Sequence, residues 1–298
     1  MSSYFESTAR DRVLGLLDAA TFTEFLPPSE RITSPHLPQL NAPVSFDDGI
    51  VIGQGLLQQQ LVFIAAQEGG FMGGSVGEVH GAKLVGLLKR AVREHAHAVL
   101  LMLESGGVRL HEANAGLIAV SEVMRAVLEV RAAGIPVVVL IGGSNGCFGG
   151  MGIVARCANA IVMSEEGRLA MSGPEVIETA NGVEEFDSRD RALVWRTTGG
   201  KHRYLLSDCD IVVADDIGTF RQAAFDAIQT CYDHEIKLTL AALETEQRML
   251  QQRIDRYGTL SEPMDIWDQL GVPDPANVPI LETEAFIHMA SQHRLGEK

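Results

Sequence analysis

Three times along this chain, an apolar run is followed by a loop and then by a helical segment. The apolar runs lie at 98–103, 135–141 and 160–163, and their length and composition are typical of strands buried on both faces. Paired glycines occupy the loops after the first two runs, and Pro174 opens the third helix at the first helical position, which proline favours. This alternation predicts an α/β fold with ligands bound at the loops that follow the strands.

Helices, two more strands and a proline-rich connector account for the rest of the chain. Ser75 and Glu78 have the spacing of a capping box, so we expect a helix that starts at Ser75 and runs to Arg93. The other predicted elements are a helix over 7–20, a connector over 27–43, strands at 50–52 and 61–66, a glycine loop at 68–74, and helical stretches at 113–133 and 217–256.

No linker divides the chain, and 298 residues with 46% hydrophobic content suffice for one large core. We therefore expect a single domain over 1–298. Its predicted parts are an N-terminal helix and connector (1–45), a core that carries the glycine loops (46–215) and a helical C-terminal part (216–298).

Charge and cysteine content limit the partners and the compartment. The 24 basic and 39 acidic residues give a net charge of −15, which disfavours nucleic acids and anionic membranes as partners. The apolar runs are shorter than the ~20 residues of a membrane helix and no signal-peptide pattern is present, so we expect a cytoplasmic protein. The 4 cysteines form no CxxC pair and the 9 histidines form no HExxH motif, so we expect no metal site.

The 30 glycines indicate what the loops do. A glycine after a buried strand either permits positive φ in a tight turn or lets a backbone N–H approach a ligand closely. Because paired glycines recur in successive loops, we expect convergent N–H donors. The phosphate-binding patterns GxxxxGK[ST] and GxGxxG with a following acidic residue are absent, which leaves an oxyanion hole as the predicted site.

Other chemistry stays open at this point. The pattern GxSxG occurs at 142–146 and again at 73–77, so a serine nucleophile at Ser144 is an alternative, although its repetition in a glycine-rich chain favours turn serines. Cys147 has no neighbouring base and is interpreted as a buried thiol. His111 and Glu112 are either acid–base groups or a solvated pair at a helix N-terminus.

Six segments, in order along the chain, resemble the motifs of one enzyme group. They are 9–24 (ARxR, LLD and SFxE), 73–78 (GGSLGE), 104–112 ((D/E)SGGARIQE), 148–150 (AGGA), 172–179 (TGPDVVKT) and 198–202 (GGAKTH-like). Over nearly its whole length the chain resembles the carboxyltransferase branch of the crotonase superfamily, and most specifically the family of malonate decarboxylase β subunits. Thr21, Val108 and the pair Leu110 and His111 depart from these motifs.

Two differences separate the chain from other members of that branch. The β subunits of bacterial acetyl-CoA carboxylase begin with a four-cysteine zinc ribbon, whereas no cysteine precedes Cys147 here. Propionyl-CoA-type carboxyltransferases contain two such domains in tandem, whereas this chain has one. The run 172–189 is particularly similar to malonate decarboxylase.

The resemblance implies a crotonase-like spiral of ββα units that decarboxylates malonyl thioester, carried on an acyl-carrier protein, to acetyl thioester through an enolate. It implies no directly bound cofactor, because the carrier protein presents the thioester arm of phosphopantetheine or CoA type. Transfer of the carboxyl group to biotin is the alternative. A serine thioesterase and a non-catalytic scaffold subunit are the remaining ones.

The expected site residues follow from the loops and the resemblance together. Gly106 and Gly107 are the predicted catalytic N–H donors, with His111 as the candidate proton donor. The resemblance implies that a second crotonase-like domain closes the site, and this chain supplies one set of loops, so a homologous γ subunit is expected to complete it. The triplet 201–203 is a candidate docking patch for an acidic carrier protein. Substrate-binding residues are predicted at Gly73, Gly74, Ser105, Val108, Arg109, Gly149, Gly150 and Lys201.

Overall fold

In the part of the chain that the structure, a computed structural model, describes (2–41, 48–112, 114–234 and 239–296), seven strands form one sheet in chain order. The first three strands pair antiparallel, and the third to the seventh pair parallel. The strands are β1 (Thr23–Phe25), β2 (Ile50–Leu57), β3 (Gln60–Gln67), β4 (Ala98–Met102), β5 (Val137–Ile141), β6 (Ala160–Ser164) and β7 (Ile211–Val213).

Helices alternate with the parallel strands and then continue to the C-terminal part. They are α1 (Ala9–Leu16), α2 (Glu78–Arg93), α3 (Asn114–Ala132), α4 (Gly150–Arg156), α5 (Pro174–Asn181), α6 (Arg191–Thr198), α7 (Gly200–Leu205), α8 (Ile217–Asp233), α9 (Leu240–Tyr257), α10 (Pro263–Gln269) and α11 (Thr283–Ala290).

Alternate side chains of the central strands point into two cores, one on each face of the sheet. In β4, Val99 and Leu101 join a cluster covered by α2, α3 and α4, whereas Leu100 and Met102 join a cluster covered by α1 and α8. All residues of β4 and β5 are buried, as expected for parallel strands with helices on both faces. The α/β arrangement is the one that the alternation in the sequence predicts.

The structure corrects two predicted helix limits. The first helix ends at Leu16 rather than residue 20, because Leu17 has extended backbone angles. The predicted start at Ser75 is also wrong: α2 begins at Glu78, and the Ser75 hydroxyl donates to Met72 O at 2.8 Å. Capping boxes require the serine itself to be the N-cap, and Gly77 holds that position here.

Parts of three predictions lie outside the described residues, namely 42–43 of the connector, Ala113, and 235–238 of the last helical stretch. The predicted division into parts at 1–45, 46–215 and 216–298 stays a prediction. Across the described residues, none of the helices combines the length and the apolar character needed to cross a membrane.

Candidate active site

The loops that follow β3 to β6 pair with one another as a second, short ladder. Parallel bridges join Val76 to Val108, Ser105 to Cys147, and Cys147 to Leu169. The Ser105 N–H donates to Gly146 O at 2.7 Å, and the Phe148 N–H donates to Ser105 O at 2.8 Å. The ladder therefore brings the glycine loops together at the carboxyl ends of the parallel strands.

Glycines from three loops touch where these loops meet. A Cβ on Gly149 would lie 3.1 Å from Gly107 Cα, and a Cβ on Gly106 would lie 3.1 Å from Gly73 O. Gly107 and Gly149 have φ of +133° and +61°. A residue with a side chain would be strained in this backbone conformation, which glycine adopts readily. We call the surface formed by Gly73, Gly106, Gly107, Gly149 and Gly150 the glycine cradle.

Backbone N–H groups at the cradle differ in whether they are already hydrogen-bonded. The Gly106 N–H donates to Gly73 O at 2.8 Å, and the Gly107 N–H donates to the Ser105 hydroxyl at 3.2 Å. Within the described residues, the N–H groups of Val108 and Gly150 have no acceptor. Free donors thus include Val108 and Gly150, each one residue after a glycine of the touching pair, together with Gly73, whereas the predicted donor Gly106 is bonded to Gly73 O of another loop.

Arg109 and Glu112 form a buried ion pair that joins the loop of Gly106 to helix α2. The Arg109 guanidinium donates to Glu112 at 2.8 Å and to Ser75 O at 3.0 Å. The other Glu112 oxygen accepts the N–H of Glu78 at 2.5 Å, so this carboxylate caps α2 in place of Ser75. Glu112 is therefore occupied within the protein, while His111 is exposed on the turn beside it.

Lys201, a predicted substrate-binding residue, is buried away from solvent and bonded to the C-terminal part. Its ammonium lies 2.9 Å from Glu165 Oε2 and donates to Pro279 O at 3.1 Å and to Leu281 O at 2.5 Å. His202 is also buried and accepts the Trp267 indole N–H at 3.1 Å. The expected basic docking patch at 201–203 is therefore wrong, because Lys201 and His202 are buried, and the half-buried Arg203 is bonded to Asp208.

The geometry does not assemble a serine or cysteine nucleophile. Ser144 donates to the Glu104 carboxylate at 3.2 Å, and across the residues described no histidine is bonded to its hydroxyl. Cys147 is fully buried, and burial raises the pKa of its thiol far above the usual value. Among the same described residues, no group of three or more His, Cys, Asp or Glu side chains is placed so that it could hold a metal ion.

Two charged residues of the motif segments, which the sequence does not mark as site residues, are paired in the structure. Arg12 of α1 and Glu104, the residue before Ser105, form an ion pair whose side chains are 3% and 4% exposed. A carboxylate directly after a buried strand, together with an arginine among the apolar positions of an amphipathic helix, was the available signal. Charged side chains are almost never fully buried unless they are paired.

Large apolar side chains are exposed around the cradle. Leu110 is 87% exposed in the loop of Val108, and Met171, whose carbonyl accepts the Gly149 N–H at 2.8 Å, is 63% exposed. Leu117 and Ile118 of α3 and Ile153 of α4 are exposed as well. Exposed apolar surface of this kind is typical of a protein–protein contact.

Comparison with known families and proteins gives a consistent result. The carboxyl transferase domain family matches residues 6–210, more than half of the chain. The chain is 41% identical over 307 aligned residues to the malonyl-S-ACP:biotin-protein carboxyltransferase MADC of Malonomonas rubra, covering 97% of this chain and 96% of that protein. It is 31% identical over 188 residues to the acetyl-coenzyme A carboxylase carboxyl transferase subunit beta of Fusobacterium nucleatum, covering 59% of each.

Two solved structures with similar chains come from Pseudomonas. A chain of the malonate decarboxylase hetero-tetramer in complex with malonate superposes with a TM-score of 0.78 at 37% identity, covering 95% of this chain and 98% of that one. A chain of the malonate decarboxylase MdcD-MdcE hetero-dimer gives a TM-score of 0.63 at 38% identity, covering 76% and 88%. The similarity to these two chains extends beyond the fold to the sequence.

Proposed function

This chain belongs to the carboxyl transferase family, and we propose that it is the β subunit of a malonate decarboxylase, acting on malonyl thioester carried by an acyl-carrier protein. The similarity to relatives named for malonate decarboxylase and for malonyl-S-ACP supports this substrate. The observation that carries the proposal is the pair of unbonded N–H groups at Val108 and Gly150, next to the contact between Gly107 and Gly149.

The cradle suits a reaction that places negative charge on a thioester oxygen. When malonyl thioester decarboxylates, the bond to the carboxyl carbon breaks, its electron pair moves into an enolate, and CO₂ leaves. The enolate oxygen then accepts hydrogen bonds from Val108 and Gly150 N–H, which are stronger to this charged oxygen than to the neutral carbonyl. One such donor contributes about 3 kcal/mol, or roughly two orders of magnitude in rate.

The other predicted site residues shape the cradle or act on the product. Gly73 and Gly74 form its wall on the side of β3, and Ser105 holds the Gly107 N–H. Arg109 keeps the loop of Val108 bonded to α2 through Glu112. His111 is the proposed proton donor to the enolate carbon, a step that completes the conversion to acetyl thioester.

A homologous γ subunit is the proposed partner that closes the site. The relatives in Pseudomonas were solved as a hetero-tetramer and a hetero-dimer. In this chain, the apolar side chains of Leu110, Ile118 and Met171 are exposed beside the cradle. A contact centred on them would bury apolar surface and exclude water from the thioester, which strengthens the hydrogen bonds to the enolate.

Carboxyl transfer to biotin is a second candidate, because the Malonomonas rubra relative is named as a biotin-protein carboxyltransferase. Both reactions pass through the same enolate, so the same N–H donors serve either one. They differ in what receives the carboxyl group. In the decarboxylase CO₂ is released, whereas in the transferase a biotin-carrying protein accepts it.

The deciding experiment supplies malonyl thioester on the carrier protein to the complex of this chain with its partner subunit. We expect acetyl thioester and free CO₂ in equal amounts, unaffected by avidin or by exhaustive chelation. Dependence on a biotin carrier, or loss of activity with avidin, would move the function to carboxyl transfer. Release of malonate through an acyl-enzyme would indicate a thioesterase. A complex with no activity on the thioester would indicate that this chain is a non-catalytic scaffold subunit.

A further inference from the structure

Glu104 connects the N-terminal helix to the cradle through a buried charge. The Arg12 guanidinium donates to Glu104 Oε2 and, through its Nε, to Tyr4 O at 2.8 Å. Removing two charges from water is costly, and such a pair is stable only where further hydrogen bonds satisfy the carboxylate. The partners of its second oxygen therefore show what the pair holds in place.

The second oxygen of Glu104 binds the loop after β5. Glu104 Oε1 accepts the Asn145 N–H at 3.0 Å and the Ser144 hydroxyl at 3.2 Å. The Asn145 side-chain amide in turn donates to Gly69 O at 2.7 Å. Three loops, those after β3, β4 and β5, are thus joined around one carboxylate.

Two glycines leave room for this carboxylate. A Cβ on Gly69 or on Gly143 would overlap the Glu104 side chain. The backbones of the loops after β3 and β5 therefore approach Glu104 more closely than any side chain there would permit.

We propose that Glu104 is a positioning residue, whose carboxylate, held by Arg12 and Asn145, sets the distance between the loops that carry the Val108 and Gly150 N–H groups. The chain passes directly from Glu104 to Ser105, which bonds to Gly146 and Phe148 of the facing loop. A shift of Glu104 against Asn145 moves one donor relative to the other. A misplacement of about 1 Å at a reacting centre can cost about a hundredfold in rate.

This inference rests on the proposed function, and Glu104→Gln and Asn145→Ala test it in the complex with the partner subunit. Glutamine keeps the shape of residue 104 but carries no charge and one acceptor oxygen, so it can neither form the ion pair with Arg12 nor accept hydrogen bonds on both sides. Alanine at 145 keeps the backbone N–H that donates to Glu104, and it removes the side-chain bond that joins this loop to Gly69, at a partly exposed position. We expect kcat for malonyl thioester to fall at least tenfold in both variants while KM stays within threefold, since the donors act on the transition state.

Asp208→Asn is the matched control. Asp208 is a buried carboxylate that accepts from Arg203 at 3.0 Å and from Arg253 at 2.9 Å, and it bonds to none of the three loops. Its loss affects stability without moving the cradle, so kcat is expected to stay near the wild-type value. An equal fall of kcat in Asp208→Asn and Glu104→Gln would overturn the positioning role, as would wild-type kcat in a folded Glu104→Gln.

Hydrogen exchange separates this inference from the proposed function. In Asn145→Ala, we expect amides of 104–109 and 142–150 to exchange at least tenfold faster, with β4 and β5 unchanged. If the wild-type complex fails to act on malonyl thioester, the proposed function fails and the exchange result still decides the inference. If Glu104→Gln does not fold, Ser144→Ala replaces it, because this change removes the hydroxyl that donates to Glu104 Oε1 at an exposed position. Loop exchange that is unchanged in both Ser144→Ala and Asn145→Ala would overturn the inference.

Discussion

The glycine cradle and helix α9 are held in the molecule by opposite means. The cradle loops are fixed by a backbone ladder and by two buried ion pairs, Arg12 with Glu104 and Arg109 with Glu112. In contrast, Tyr257 is the one buried side chain of α9 within the part of the chain described. The cradle is therefore determined by many mutually dependent contacts, whereas α9 depends on a few polar ones.

Those few contacts lie at the end of α9 and along one side of it. Arg253 donates to Asp208 at 2.9 Å and to Leu206 O at 3.0 Å, and Glu246 lies 3.5 Å from Arg156. Most helix stability in proteins comes from tertiary packing of an apolar face, and α9 has little of that packing. The difference indicates that precise geometry is concentrated at the cradle, where the proposed chemistry requires it.

Removing one N–H donor from the cradle is expected to have the largest effect. Gly150 is the first residue of α4, a position that proline tolerates, so Gly150→Pro deletes the N–H with little change of helix geometry. Gly150→Ala is the control, because it keeps the N–H and adds a Cβ that meets the same Val120 side chain. We expect kcat of the complex to be about a hundredfold lower in Gly150→Pro than in Gly150→Ala. Equal kcat values for Gly150→Pro and Gly150→Ala would show that the Gly150 N–H is not part of the oxyanion hole.

The regular part of the fold could be predicted because its signals are local. Strands β4 and β5 are apolar at every position, since both faces of a parallel sheet are covered, and Pro174 begins α5 as expected. The site could be predicted only as a set of loops. The Gly106 N–H is occupied because Gly73 of another loop lies against it.

Long-range contacts explain the errors as well. Glu112 caps α2 from 34 residues away, which made the capping-box spacing of Ser75 misleading. Lys201 forms an ion pair with Glu165 and donates to carbonyls 78 and 80 residues further along the chain, so its local sequence resembled an exposed turn. Buried pairs such as Arg12 with Glu104 are separated by 92 residues, and spacing within one sequence does not reveal them.

The next largest effect is expected at the exposed apolar surface beside the cradle. Ile118→Glu places a charge in the proposed contact with the γ subunit, where burial of an unpaired carboxylate is unfavourable. We expect the affinity of the two subunits to fall at least tenfold while thermal unfolding of the isolated chain is unchanged, since Ile118 is exposed. Leu14→Glu is the control, because Leu14 is exposed on α1, on the opposite face of the sheet. If calorimetry shows that Ile118→Glu and Leu14→Glu weaken binding equally, the proposed contact surface is wrong.

A smaller effect, from two buried histidines outside both regions, is expected from pH. Burial, helped by the charges of Arg109 and of Arg203 respectively, lowers the pKa of His80 and of His202 to about 3. In the unfolded chain a histidine has a pKa of about 6.5, so between these values the unfolded state binds more protons. The free energy of unfolding therefore falls as pH drops from about 6.5 towards 3, by at most about 1.4 kcal/mol per pH unit for each histidine.

His202→Gln tests this pH dependence, because the glutamine oxygen can accept the Trp267 N–H that His202 Nδ1 accepts now. We expect a shallower dependence of unfolding free energy on pH between 4 and 6 than in the wild type, measured by urea titration. The exposed His95→Gln is the control and should keep the wild-type slope. An unchanged slope in His202→Gln would mean that this histidine is not held neutral.

The smallest effect concerns local opening of α9 and compares the two regions directly. Seven residues of α3 are buried against the cluster beneath the cradle, whereas α9 buries Tyr257 among the side chains described. Amides of α9 should therefore exchange at least tenfold faster than those of α3 in the isolated chain, because opening α9 exposes little apolar surface. Arg253→Ala removes its bonds to Asp208 and Leu206 and should speed α9 exchange further, while exchange at 104–109 and kcat of the complex stay at wild-type values. If α9 were instead protected as strongly as α3, its few polar contacts would be sufficient to fix it, and the contrast with the cradle would not hold.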